Sequence, residues 1–352
     1  MSEKTQLATS SQHLSEASGG DGEADRTVGS PQWSRLGLRR FSGVYVWLAT
    51  IAIFSVIEPS RFFTTQTLRS VANGQAIAAI LAMALVIPIA VGAFDLSIGA
   101  NLGVSLVIFV WLVQGGMPVP LAILLTLLTG IAIGLANGFV VVYLGVDSFI
   151  AGLAMSSILA ALALQITGGQ LLVGGIPDGF KSIAQSNLFG VPLPVLIMLT
   201  VAGVLWFALE QTPFGRYLYA VGGNREAARL AGLPTGRITV TALVAGGLVA
   251  SFAGVLLASR LGSASADAGG AYLLPVFSAV FLGSTQIFPG RVNIPGTLVA
   301  IYLLATGVAG LQISGAPNVI TQLFNGLALI LAVALAARGS RKRVRRRRTS
   351  VT

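Results

Sequence analysis

From Phe41 to about residue 337 the chain alternates long apolar runs with short links rich in glycine, proline and polar residues. The runs fall near 42–58, 70–92, 96–113, 119–143, 149–166, 191–209, 238–259, 271–287, 294–311 and 318–337. Each approaches the roughly 20 residues that a helix needs to cross the hydrocarbon core of a bilayer. The pattern predicts an all-α polytopic membrane protein with about ten transmembrane helices. Short links such as Gln114-Gly-Gly-Met-Pro118 read as tight turns between antiparallel neighbours. The third and eighth runs carry polar residues and glycines, which mark candidate broken or re-entrant segments.

Two stretches break the apolar pattern at the ends. Residues 1–40 are rich in Ser, Gly, Glu and Asp without an apolar period, and predict a disordered tail. No apolar core follows Met1, so this tail does not read as a cleavable signal peptide. Residues 338–352 form a basic tail, with eight Lys and Arg between Arg338 and Arg348. The membrane domain between them is expected to span 41–337.

Composition sharpens this picture. The chain has 352 residues, 54% hydrophobic and 10% charged, more apolar surface than a soluble fold could cover. Cysteine is absent and the one histidine, His13, lies in the N-terminal tail. That excludes disulfides, thiolate metal sites, a Cys nucleophile and histidine chemistry in the core. The formal charge of +10 would point to nucleic acid in a soluble protein. Here it reads instead as topology, with the C-terminal tail held against anionic lipid and no nucleic-acid partner. An even number of spans puts both termini on one side. Arg35, Arg39, Arg40, Arg291 and the C-terminal tail agree that this side is cytoplasmic, whereas outer links hold only Arg61, Arg69, Lys181 and Arg260.

One long charged insert interrupts the oily sequence at 210–237, with Arg216, Arg225, Glu226, Arg229 and Arg237. Gly222-Gly223-Asn224 reads as a turn, with Asn224 as the N-cap of a short helix. Glu226 early and Arg229 late complement the helix dipole, and Leu230, Gly232 and Pro234 end it after two or three turns. So short a helix needs something to dock on, and Ala227 and Ala228 are expected to face a soluble partner. An ordinary positive-inside loop is the alternative.

Elsewhere, Asp95 in Gly92-Ala-Phe-Asp-Leu-Ser-Ile-Gly99 is the most polar point in the first half. It reads either as a cap, with Ser97, at the start of the third span, or as part of a helix break on a transport path. Asn137, Ser284 and Thr285 join them as candidate pathway residues. Hydrogen bonds between helices are the alternative for these, and for Gln286, Asn293, Gln312, Gln322 and Asn325. Arg291 reads as an anchor at the cytoplasmic end of its span. The 167–190 outer link is either a plain connection or a landing surface for an external partner. No Asp–Arg or Lys pair lies at mid-span, which argues against an ion-coupled carrier. No Gly-x-x-x-x-Gly-Lys-Ser/Thr loop occurs, so an ATP-driven process would need the ATPase on another chain.

Four segments in order carry a resemblance. Gly215 to Gly232 resembles the coupling loop of the permeases of ABC importers for simple sugars, the ribose-permease family. Gly92–Gly99 is similar to that family's Gly-Gly-Ile-Asp-Leu-Ser-Val-Gly signature, with Ala93 and Phe94 as substitutions. Asn137-Gly138 with Asp147–Met155 matches a third segment, although Asp147 and Gly152 stand where the family has proline and threonine. Leu261–Pro275 and Phe281–Thr297 match a fourth, with altered glycine pairs at Gly283-Ser-Thr and Pro289-Gly-Arg-Val. The resemblance implies a type II-like ABC importer permease architecture in the cytoplasmic (inner) membrane of a bacterium. It implies ATPase coupling through Gly222, Gly223, Asn224, Arg225, Glu226, Ala227, Ala228, Arg229 and Gly232. It implies a second permease subunit, alike or different, a cytoplasmic tandem ATP-binding protein and an extracytoplasmic sugar-binding protein that delivers a monosaccharide. No catalytic residue, metal or cofactor of the chain's own is expected, since the partner binds the ATP. Import of a nucleoside, a branched-chain amino acid or a signalling sugar, or an ATP-independent carrier, are the alternatives.

Overall fold

The computed structural model describes residues 41–349, and their side chains as far as Ala334 apart from Asn318. The N-terminal tail assignment, 1–40, lies outside these residues, whereas 338–349 of the basic C-terminal tail continues the last helix. The described chain is helical, with four two-residue strands. Its helices are α1 (Ser42–Ile57), α2 (Thr65–Ala90), α3 (Ile98–Gln114), α4 (Val119–Val142), α5 (Ser148–Thr167), α6 (Asp178–Gln185) and α7 (Leu193–Gln211). They continue as α8 (Pro213–Gly223), α9 (Arg225–Leu230), α10 (Thr235–Leu261), α11 (Gly270–Gly283), α12 (Ile294–Ile313) and α13 (Asn318–Thr349). Among the described residues six, α2, α4, α5, α7, α10 and α12, are long and apolar enough to cross a membrane. The apolar parts of α1, α3, α11 and α13 are shorter. All ten runs drawn from the sequence overlap one of these helices.

Two helices make the centre. Residues 76–88 of α2 are buried on every face, and most of α10 from Ala250 to Ser259 is buried too. Side chains apolar all round, as here, suit a helix wrapped by other helices. α1, α4, α5, α7 and α13 instead present Leu, Ile, Val and Phe outward, as helices facing lipid tails do. α4 lies against α10 in backbone contact. A Cβ at Gly134 would stand 2.6 Å from Val244 Cα and 2.7 Å from the Leu243 carbonyl oxygen. Small residues at 130, 134 and 138 allow this approach, where Leu would hold the helices apart.

The links separate cleanly to two ends. At one end β1 (Leu172–Val173) pairs antiparallel with β4 (Ser263–Ala264), Leu172 opposite Ala264. Gln114 Nε2 donates to the carbonyls of Val173 at 3.1 Å and Gly174 at 3.3 Å. Ser259 Oγ donates to Phe180 O at 2.6 Å, docking α6 on the end of α10. β2 (Asn187–Leu188) and β3 (Val191–Pro192) close a small hairpin before α7. The 167–190 link is therefore a folded cap. At the other end lie 91–97, 143–147, 212–234 and 284–293.

α11 enters from mid-depth. Asn101 Nδ2 donates at 3.2 Å to the carbonyl of Gly247, near the middle of the 27-residue α10. Beside Asn101, a Cβ at Gly103 would stand 3.0 Å from Gly269 N and 3.1 Å from Gly269 Cα. So after β4 the chain descends to the level of Gly99–Gly103, and the 14-residue α11 starts there. The eighth run is thus the helical half of a broken span, entered through the irregular 265–269. Its irregular backbone packs against α3 at Gly269, with Ala264 and Gly269 buried and Asp267 exposed.

Candidate functional site

The charged insert folds as two helices rather than as one loop with a turn. Pro213 occupies the first turn of α8, where its missing N–H costs nothing. α8 runs on through Gly222 and Gly223, so these glycines close a helix instead of forming a turn. Gly222 lies directly on the end of α2: its added Cβ would collide with the Ala90 carbonyl, and a Cβ added at Gly92 would stand 3.7 Å from Gly222 Cα. Asn224 then breaks the helix in extended conformation, and its Oδ1 accepts from Ala227 N at 3.0 Å. α9 is six residues, fewer than two turns, and shorter than the sequence led us to expect. Glu226 and Arg229 pair at 2.9 Å along its flank. Gly232, with φ +83°, reverses the chain toward α10, and Leu233 N donates back to Ala228 O at 3.0 Å.

Ala228 departs from its expected place. It is buried within the chain, against the body beneath α9, and so does not lie on the exposed face of that helix. The outward face holds Arg225, Ala227, Ala231 and Leu230, the last 79% exposed.

Three of the five candidate pathway residues come together, directly beyond the contact of α8 with α2. Asp95 Oδ1 accepts from Ser97 N at 2.9 Å, Ser97 Oγ at 2.5 Å and Asn137 Nδ2 at 3.1 Å. All three residues are buried. Asp95 thus closes the turn before α3 and ties it to α4, while Ser97, at the N-cap position of α3, makes no side-chain capping bond. Neighbouring bonds fasten the same turn to α5: Phe94 N to Ser148 Oγ at 3.0 Å, and Ser156 Oγ to Leu96 O at 2.8 Å. Asp147 caps α5, accepting from Phe149 N at 3.0 Å.

Ser284 and Thr285 lie elsewhere, at the C-terminal end of α11. Their hydroxyls bond back to Phe281 O and Leu282 O at 2.6 and 2.7 Å. Nearby is a cluster that sequence reasoning missed. Arg291 Nη2 meets Glu210 Oε2 at 2.6 Å, and its guanidinium lies 4.6 Å from the Tyr219 ring centre and 4.9 Å from that of Phe288. Tyr219 OH donates to Val292 O at 3.0 Å. Burial pushes the Tyr219 phenol up to about 12, so it stays a neutral donor at physiological pH. The signal that could have found the cluster was Glu210, an acid closing an apolar run at the same end as Arg291. Among the described residues no three His, Cys, Asp or Glu side chains gather to hold a metal ion.

A family model described as the permease component of the branched-chain amino acid transport system matches residues 67–333. The autoinducer 2 import system permease protein LsrD of Escherichia coli (strain K12) is 33% identical over 288 residues, 80% of this chain and 87% of that one. The protein of the same name from Salmonella paratyphi A is 32% identical over 288 residues, covering 80% and 86%. No solved structure matches. Matched by the family model over most of its length and 33% identical to an import-system permease, this bundle of apolar helices belongs to the family of permease components of ABC-type import systems, as a transporter's membrane subunit and not an enzyme.

Proposed function

We propose that the chain is the membrane subunit through which a small sugar-type solute, a monosaccharide or related polyol, is imported, driven by an ATPase docked on α9. The exposed face of α9 carries this reading. A helix this short is marginal alone, yet here it is capped by Asn224, braced by Glu226–Arg229 and pinned through Ala228 and Leu233. That investment leaves Leu230, Ala227 and Ala231 outward with a charged rim, the make-up of a small docking site. On this reading the docking residues are Gly222 to Ala227, Arg229 and Gly232 with Leu230 and Ala231 added, while Ala228 supports them from behind. The end bearing α9 and both termini face the cytoplasm, and α6 with the β1–β4 ladder faces outward toward a binding protein. A second permease subunit completes the pathway. Asp95, Ser97 and Asn137 shape α3 and do not touch solute.

The test is co-purification of the ATPase subunit with Leu230→Glu. Loss of the ATPase with unchanged permease yield is expected; full retention removes α9 as the docking site. The relatives' names favour autoinducer 2 as a second reading of the solute. Uptake of labelled D-ribose, D-xylose and autoinducer 2 by the complete system separates the two.

A further inference from the structure

We propose that Arg291 is a positioning residue: clamped by Glu210, Tyr219 and Phe288, it carries movement of the α8–α9 arm into the α11–α12 connection and so into the half-helix α11. The proposal rests on α9 being the ATPase-docking helix.

Its partners come from separate pieces of chain. Glu210 ends α7, Tyr219 is on α8, and Phe288 belongs to the connection itself. A planar guanidinium that both pairs with a carboxylate and stacks on ring faces has its orientation fixed, which a lysine in the same place would not. The Tyr219–Val292 hydrogen bond adds a second link one residue further on. Together they join the arm to the 284–293 connection at two adjacent points.

The connection is too tightly tied to absorb a displacement. Asn293 Nδ2 donates to Gly283 O at 3.3 Å, Gln286 O at 3.2 Å and Arg291 O at 3.1 Å. Its Oδ1 accepts from Gly296 N at 2.8 Å, capping α12. A Cβ at Gly283 would stand 2.5 Å from Thr297 N, so the end of α11 and the start of α12 lie backbone to backbone. A pull on Arg291 and Val292 therefore reaches both helices together. α11 is about 20 Å long at 1.5 Å per residue, with Pro275 in its first half, and its far end is the mid-depth turn at Gly269–Gly270. The arm's other seat, Gly222 on Ala90, meets the central helix α2, whose buried faces leave it little room to move.

The natural absence of cysteine allows a direct test. A single cysteine replaces Ala271, an exposed residue in the first turn of α11. The complex with its ATPase is reconstituted in proteoliposomes, and the rate of N-ethylmaleimide labelling is measured with and without ATP and orthovanadate. In the otherwise unaltered chain the nucleotide should change the rate by at least about fivefold, the lower range of an allosteric coupling. Arg291→Gln and Glu210→Gln should each bring that change below about twofold while the ATPase still co-purifies and hydrolyses ATP. Glu210→Arg combined with Arg291→Glu should restore part of it, a rescue that a purely structural role would not give. Arg291→Lys, which keeps the charge and loses the fork, should fall between, and serves if the exchanged pair fails to insert. An undiminished nucleotide response in Arg291→Gln with the ATPase bound overturns the clamp alone. No nucleotide response in the unaltered complex overturns the transmission to α11. Failure of the ATPase to bind the unaltered chain overturns the docking reading, and the clamp with it.

Discussion

Gly152→Ala tests the seating of the turn that holds Asp95. Gly152 is buried in the first half of α5, and a methyl there would stand 2.6 Å from Leu96 N and 3.4 Å from Leu96 Cα and Phe94 O. These are backbone atoms, which cannot rotate aside. Ordinary contact begins near 3.4 Å, so the turn and α5 must part by roughly 0.8 Å. That separation stretches the Phe94–Ser148 and Ser156–Leu96 bonds, now 3.0 and 2.8 Å, to about 3.8 and 3.6 Å, past useful hydrogen bonding. Overpacking costs about 1–3 kcal/mol, and two interhelical bonds in a membrane protein add about 0.6 kcal/mol each. The sum is a loss of about 2–4 kcal/mol. The assay is thermal unfolding of the purified permease followed by tryptophan fluorescence, with Gly203→Ala on α7 as control. An added methyl at Gly203 meets nothing within 4 Å, so this control should melt with or slightly above the parent, because Ala favours helix. Gly152→Thr, with a branched side chain, should melt lower still. Equal melting of Gly152→Ala and Gly203→Ala would refute the reasoning.

Three further outcomes are expected. Asp95→Ala strands the buried Ser97 and Asn137 donors and should destabilise by about 1–3 kcal/mol or more, read as a lower melting temperature; an unchanged value would show that water reaches the turn. Asn224→Ala removes the cap of α9 at about 1 kcal/mol and should weaken ATPase co-purification about fivefold without altering the melt, whereas Ala228→Leu, at an inward position, should lower the melt as well. Single cysteines at Ser182 and Ala231 should be labelled by an impermeant maleimide in intact cells at 182 only; the reverse pattern would invert the topology.

Much of the fold was legible because membrane helices announce themselves locally. Apolar runs of the right length need no tertiary partner to be recognised, and all ten overlapped a helix. The irregular entrance to α11 showed in its glycines and serines. The short helix after Asn224 showed in its cap and its Gly232 stop, since both act within a few residues. The site was less legible. Nothing local told Ala227 from Ala228, because on so short a helix the inward face is set by what lies beneath it. The 210–237 insert reads as a charged loop, yet Pro213 starts a helix held by its seat on α2 and by Tyr219 bonded to Val292 O.

By itself, then, the sequence determined the elements whose cause is local or averaged over a span. Those are the apolar helices, the capped short helix after Asn224, the charge asymmetry, and the family to which its four motifs belong. The tertiary structure alone decided which polar groups meet. Asp95 and Asn137 are 42 residues apart, and Glu210 and Arg291 are 81 apart. In a membrane interior an unpaired polar side chain is costly, which favours such pairs, but helix packing chooses the partners. It also fixed that Gly152 must lack a side chain, because a turn from a distant part of the chain rests on it.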